Sequence, residues 1–265
     1  MDRDSCDEEG EGSRLGRKEH WDEAYAMELG NLVEHGDEGE IWFGEDVMET
    51  MVSWTAELIK REFPSASSDV AILDVGTGNG VLPLQFASLG FTRLTGSDYS
   101  TAAIQLACAV AERRGVHSVR WLVDDLLHTS MSDRFEVITD KGTFDAVSLS
   151  EDAAANRERY ITAVRSLVKP QGLLVITSCN TTREELIEEF CGASTDHSIG
   201  ARNSATVPDD GKGYSPNAGN EGDCHMAAPK DGWRFEYVDH VRSYPVFRFG
   251  GIEGSRVCTV AFRCI

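Results

Sequence analysis

The chain has 265 residues, 41% of them apolar and 26% charged, with 45 acids against 25 bases and a formal net charge of −20. These totals describe a folded chain with enough apolar mass for a core, and they speak against nucleic acid as the main partner, because phosphate contacts need clustered Lys and Arg. An acidic surface suits plain solubility, and it equally suits a basic protein partner.

Residues 1–16, MDRDSCDEEGEGSRLG, read as a disordered acidic tail without the apolar run of a signal peptide. Over 18–35, Trp21, Tyr25, Leu29 and Leu32 recur at spacings of four and three, the stripe of one helix. The glycines of GDEGEIWFG break it. A second helix is predicted over 45–62 with Val47, Met51, Trp54, Leu58 and Ile59 as its apolar face, and Phe63-Pro64 ends it, since the residue before a proline avoids helical angles.

From residue 70 the period changes. VAILDVG is a buried strand ending in glycine; a helix follows over about 80–89, then a strand over 93–98 and a helix over 100–114. Strands are expected at 119–125 and 135–140, and a helix at 155–168 with Tyr160, Ile161, Val164, Leu167 and Val168 on one face. KPQG closes that helix before a strand at 172–179, and Thr181 or Thr182 caps a helix over about 183–190. Residues 191–231 are rich in Gly, Asn, Ser, Asp and Pro and read as a long mobile insertion. The runs 233–241 and 256–264 are strand-like, and the segment between them, with Gly250-Gly251, suits an antiparallel pair. The alternation predicts an α/β protein: one domain over 17–265, with a Rossmann-like, seven-stranded, mostly parallel sheet, a C-terminal antiparallel strand and helices on both faces.

Seven cysteines are scattered without a CxxC pair, which points to a reducing, cytoplasmic setting and not to a disulfide framework. Cys191, His197, Cys224 and His225 share one region but match no zinc spacing, so no metal is expected. No apolar stretch approaches the roughly 18 residues of a membrane helix, so no membrane partner is expected.

The chemistry is concentrated at strand ends. ILDVGTGNG leaves the first strand and opens a helix, and Gly76, Gly78 and Gly80 let the backbone turn sharply against a ligand. The spacing is G-x-G-x-G, not the G-x-G-x-x-G of dinucleotide binders. Asp74 precedes the turn. Asp98 ends the second strand, where a carboxylate can accept both ribose hydroxyls, and Asp125 ends the third, within reach of an adenine amine. With no basic group waiting for a pyrophosphate, this describes a nucleoside site without phosphate. S-adenosylmethionine fits it. An ordinary tight turn with capping aspartates is the alternative.

KEHWDEAY, GEIWFG, ILDVGTGNGVL, GSDYS, DKGTFDAVSL and VITSCN together resemble the seven-strand methyltransferases that methylate lysine on translation elongation factor 1-alpha, and within them the group called elongation factor 1-alpha lysine methyltransferase 2, related to methyltransferase-like protein 10. The similarity covers about residues 17–190 and resumes at 232–262; the 191–231 stretch departs from it. The resemblance implies that Trp21, Tyr25 and Trp42 close over the cofactor, that Gly76 belongs to its loop, that Asp98 and Tyr99 hold the ribose and Asp125 and Leu126 the adenine, and that Lys141 contacts the methionine end. It also implies an enzyme that uses S-adenosylmethionine on a protein substrate, elongation factor 1-alpha, and a monomer is expected. A same-fold enzyme with another protein or a small amine as acceptor, and a non-catalytic cofactor-binding scaffold, stay open.

FEVITDKGTFDAVSLS places Asp140 at the end of the fourth strand, where a carboxylate can orient an incoming ammonium and guide its proton away. The competing reading is a strand-end carboxylate bonded to nearby backbone N–H groups. For Asp145, capping of a helix after it is the favoured expectation.

Overall fold

The computed structural model describes residues 13–66, 69–192, 234–242, 244, 246–249, 252–255 and 257–265. Two helices come first, α1 (Lys18–His35) and α2 (Glu45–Glu62). The core then alternates: β1 (Ala71–Val75), α3 (Val81–Ser88), β2 (Arg93–Asp98), α4 (Thr101–Arg113), β3 (Val119–Val123), β4 (Phe135–Lys141), α5 (Thr143–Ser148), α6 (Ala153–Leu167), β5 (Val168–Ser178) and α7 (Arg183–Cys191). Strands β6 (Phe235–His240), β7 (Val246–Phe249), β8 (Ile252–Ser255) and β9 (Cys258–Cys264) follow.

Seven strands form one sheet in the order β3-β2-β1-β4-β5-β9-β6, and β7 and β8 form a separate antiparallel pair. Strands β1 to β5 pair in parallel. The C-terminal strand β9 is antiparallel to both β5 and β6. The expected pair of late strands is therefore present, with β9 seated one place in from the edge and β6 outermost. The KPQG segment, expected as a turn, is drawn into β5, where the register against β4 shifts between Phe135 and Val137.

Strand alternation sorts the core into two layers. Ile72, Val137, Leu173 and Val175 join the helical residues Met51, Ile59, Phe86 and Val110 on one face. Leu73, Val75, Ile138, Leu174 and Ile176 join Tyr160, Val164, Leu186 and Phe190 on the other. Local chemistry sets the helix starts. Ser100 caps α4 by accepting from Ala103 N, and Thr182 forms a reciprocal capping box with Glu185 at α7. No helix among the described residues is long and apolar enough to cross a membrane.

The expected tail of residues 1–16 ends sooner than its composition suggests. Arg14–Gly16 form a 3-10 turn, and Leu15 O accepts a hydrogen bond from Trp21 Nε1 at 2.8 Å. Residues 1–12, and nearly all of the expected insertion at 191–231 with His197, Cys224 and His225, lie outside the described residues.

Candidate active site

A cavity of about 240 Å³ lies across the carboxyl ends of the parallel strands. The chain runs outward from β1 through β2 to β3, then returns to β4 on the other side of β1. Between β1 and β4 the sheet thus has a switch point, the place where open α/β sheets leave a crevice.

Backbone geometry opens the crevice. Gly76 has φ +61° and Gly78 φ +55°, both left-handed. A Cβ on Gly76 would stand 2.0 Å from Thr143 Oγ1, and one on Gly78 2.7 Å from the Tyr25 hydroxyl oxygen. Any other residue at either place would be strained and would push into the neighbouring wall.

The strand-end acids divide into those that face the cavity and those that do not. Asp98 lines it while 5% exposed. Its Oδ2 accepts from Gly78 N at 3.0 Å and its Oδ1 from Ser100 N at 2.9 Å. Each oxygen keeps a lone pair for a ligand hydroxyl. Burial lifts its pKa to about 6, against the lowering effect of those two N–H bonds. Asp74 is instead an internal tie. It is 4% exposed and accepts from Thr77 Oγ1 at 2.7 Å and Thr139 Oγ1 at 2.8 Å, and burial raises its pKa to about 6. It is absent from the main cavity wall and borders a small polar hollow beside it.

At the end of β3 the expectation is off by one residue. Asp125 is exposed, accepts from Leu127 N at 3.0 Å and pairs with His128. Its neighbour Asp124 lines the cavity, with Oδ1 accepting from Ser130 N at 3.3 Å and a buried Oδ2 that has no partner. Register explains the swap. Asp98 stands opposite Val123 in the parallel ladder, and Asp124 N donates to Asp98 O at 2.9 Å, so residue 124 takes the place beside Asp98. Leu126 lines the cavity.

The N-terminal aromatics form the other wall. Trp21 stacks on Tyr25 at 5.9 Å and meets Trp42 edge-on at 4.9 Å. All three line the cavity, as does Tyr99, with Lys18 Nζ 4.7 Å over its ring. The segment that carries Trp42 is fastened to the sheet. Asn79 Nδ2 donates to Glu38 O and Glu40 O at 3.1 and 3.3 Å, and Lys141 Nζ donates to Trp42 O at 3.0 Å. Lys141 thus reaches the Trp42 segment with its side chain, and burial lowers its pKa. Phe43, beside Trp42, holds a left-handed φ of +70° without being glycine, with Lys141 Nζ 5.6 Å from its ring. Strain of this sort persists only where surrounding contacts over-determine it.

At the end of β4 the expected roles change. Asp140 is fully buried and is not part of the cavity wall. Its Oδ1 accepts from Thr143 N at 2.9 Å, and its Oδ2 accepts from Phe144 N at 3.0 Å and Tyr160 Oη at 2.6 Å. These bonds hold the first turn of α5 and tie it to α6, which matches the competing reading of a strand-end carboxylate on backbone N–H groups. Burial raises its pKa to about 7, the Tyr160 hydrogen bond opposes that, and the nearby Asp145 charge adds to it. Asp145 caps no following helix. It sits inside α5, lines the cavity, and accepts from Cys179 N at 2.8 Å and from the Ser178 hydroxyl. Thr143, expected to shape the acceptor channel after Asp140, lines the cavity, and so do Leu15, Phe43, Cys179 and Asn180, which the strand pattern does not mark. The GEIWFG, DKGTFDA and VITSCN motifs carry Phe43, Thr143, Cys179 and Asn180, and no motif marks Leu15.

A family described as a methyltransferase domain matches residues 66–221. The chain belongs to this methyltransferase family. The stretch spans the glycine turn, the strand-end acids and the β4–α5 corner. A human relative of the chain, EEF1A lysine methyltransferase 2, is 43% identical over 180 residues, 67% of this chain and 74% of its own length. A Saccharomyces cerevisiae relative, Protein-lysine N-methyltransferase EFM4, is 29% identical over 259 residues, 94% of each chain. Among solved structures, the N-methyltransferase NodS from Bradyrhizobium japonicum, in complex with S-adenosyl-L-homocysteine, matches with a TM-score of 0.52 at 15% identity, over 91% of this chain and 98% of its own. That likeness is one of fold.

Proposed function

We propose that this methyltransferase transfers a methyl group from S-adenosylmethionine to a lysine side chain of a protein, and that the protein is translation elongation factor 1-alpha. The observation that carries the reading is the cavity itself: a glycine turn, a buried Asp98 with spare acceptor capacity and an unpartnered Asp124 oxygen, set side by side beyond the ends of β1, β2 and β3. The substrate follows the names of the relatives, 43% identical in the human case.

The residues fit such a cofactor. Asp98 would accept the ribose hydroxyls, and an adenine amine would give the Asp124 Oδ2 the partner it lacks. Gly76 and Gly78 let the backbone approach, Leu126 packs against the base, and Trp21, Tyr25 and Trp42 cover the site. When bound, S-adenosylmethionine supplies a sulfonium-activated methyl with a neutral leaving group. The protein's task is then to place the amine in line and exclude water. A lysine ammonium with a free pKa near 10.4 costs roughly 4 kcal/mol to deprotonate at neutral pH, so its surroundings matter. Asp140 contributes by fixing α5, whose residues Thr143 and Asp145 face the cavity. The net charge of −20 suits a basic protein partner better than nucleic acid. Free thiols at Cys108, Cys179, Cys191, Cys258 and Cys264 suit a cytoplasmic, reducing setting. We read the active form as a monomer.

The test is incubation with tritiated S-adenosylmethionine and purified elongation factor 1-alpha, followed by mass spectrometry. Methyl-lysine on the factor is the expected product. Cofactor binding without transfer to the factor would overturn the substrate and leave the methyltransferase.

A further inference from the structure

The cavity runs along the strand order, and its two ends differ in chemistry. The β3-β2-β1 end carries Asp124, Asp98 and the glycine turn. The β4-β5 end is walled by Phe43, Thr143, Asp145, Leu149, Cys179 and Asn180. Apart from the acids of the first end, two carboxylates line the cavity among the described residues, the exposed Glu40 of the Trp42 segment and the buried Asp145 of that second wall. Cys179 is no substitute: burial, with the Asp145 charge beside it, pushes the thiol up to about 11.

Asp145 is also held in place. It is 5% exposed, Cys179 N donates to Oδ2 at 2.8 Å, and the Ser178 hydroxyl donates to Oδ1. Ser178 Oγ in turn accepts from Asn180 N at 3.2 Å and Thr181 N at 2.9 Å. The end of β5 therefore fixes the carboxylate, while each of its oxygens keeps a further lone pair. A fixed anion at the end of the cavity away from the nucleoside acids is what an incoming primary ammonium requires.

We propose that Asp145 is the acceptor-binding carboxylate, which receives the lysine ammonium at the β4-β5 end of the cavity and aligns its nitrogen with the donor methyl. This rests on the reading of the chain as a lysine methyltransferase. The strand-end acid Asp140 stays behind it as the support of α5.

Two readouts test it. The first is saturation-transfer NMR of n-butylammonium, a lysine side-chain analogue, with the full chain and S-adenosylhomocysteine; it needs no protein substrate. Wild type should give a signal that Asp145→Asn loses, while S-adenosylhomocysteine affinity by calorimetry stays within about twofold. Ser178→Ala, which loosens the carboxylate without removing its charge, should keep the signal. An unchanged signal in Asp145→Asn, or none in wild type, overturns the proposal. The second readout is turnover on elongation factor 1-alpha, where Asp145→Asn should lower kcat/KM for the acceptor on the order of 10- to 100-fold, the range for a lost hydrogen bond to a charged group. If wild type gives the butylammonium signal but no transfer to the factor, the substrate assignment fails and Asp145 stands. Should Asp145→Asn not fold, Asp145→Glu keeps the charge but displaces it by one methylene. A fall in turnover at unchanged cofactor affinity then supports the proposal, and unchanged turnover refutes it.

Discussion

The two ends of the cavity use the same residue type in opposite ways. At the β2 end, Asp98 finishes its strand and turns its carboxylate into the cavity with acceptor capacity to spare. At the β4 end, Asp140 also stands near its strand's finish, yet all its bonds are internal, to two backbone N–H groups and the Tyr160 hydroxyl. Both acids hold two backbone N–H groups, but one faces the cavity and the other is closed within the fold. The difference is one of side-chain face. Thr139 and Asp140 point to opposite sides of β4, and the Asp140 side meets α6. A strand end locates a Cα; it does not say which way the side chain turns.

Truncating each acid in turn separates the two roles. Asp98→Ala should lower S-adenosylmethionine affinity about 100-fold, or roughly 3 kcal/mol, since ribose hydroxyls lose a charged acceptor in a buried site. Calorimetry giving an affinity within a few-fold of wild type would take Asp98 out of the cofactor site. Asp140→Ala should act on stability first. It leaves Thr143 N, Phe144 N and the Tyr160 hydroxyl without their acceptor, and each unsatisfied buried group costs about 1–3 kcal/mol before relaxation. A loss of roughly 2 kcal/mol in urea unfolding is expected. A variant as stable as wild type but without turnover would return Asp140 to the acceptor.

Asp124 and Asp125 show the same contrast within a single strand end. Asp124→Ala should weaken the cofactor about tenfold, the value of roughly one adenine hydrogen bond, and Asp125→Ala by less than about twofold. The reverse order, measured side by side by calorimetry, would mean that the β3 register changes when the cofactor binds.

Most of the sheet was legible because its signals are local. Buried β-branched runs, a glycine turn and capping residues such as Thr182 each act within a few residues, and the elements fall where those signals place them. The long-range features were not. Two adjacent aspartates after β3 look alike in sequence, and only the pairing of Asp98 with Val123 separates them. Asp145 looked like a cap because α5 is a six-residue helix too short to leave a period, and its partners Ser178 and Cys179 lie 33 and 34 residues away. Leu15 was read as part of a tail because charge dominates the residues before it, and its carbonyl bond to Trp21 depends on how α1 sits over the sheet. Phe43 gave no sign of its left-handed backbone, since that strain is set by its neighbours.

Titration of these acids reads their charge without removing an atom. Burial holds Asp98 near a pKa of about 6, against 3.8 for a free carboxyl. Its ionised form is the better acceptor for ligand hydroxyls, so cofactor affinity should be full above about pH 7 and should halve near pH 6, falling further below. Stability of the free protein should run the other way. Asp74 and Asp98 at about 6, and Asp140 at about 7, hold protons in the folded chain that the unfolded chain has already released. Between about pH 4 and 7 their contribution to stability therefore declines as pH rises. Calorimetry and urea unfolding over this window should give opposite slopes. In Asp98→Ala the slope in affinity should flatten, while much of the slope in stability remains, because Asp74 and Asp140 still carry it. An affinity slope that survives in Asp98→Ala would assign the titration to another group, and the contrast between an acid kept for the ligand and one kept for the fold would then lose its clearest mark.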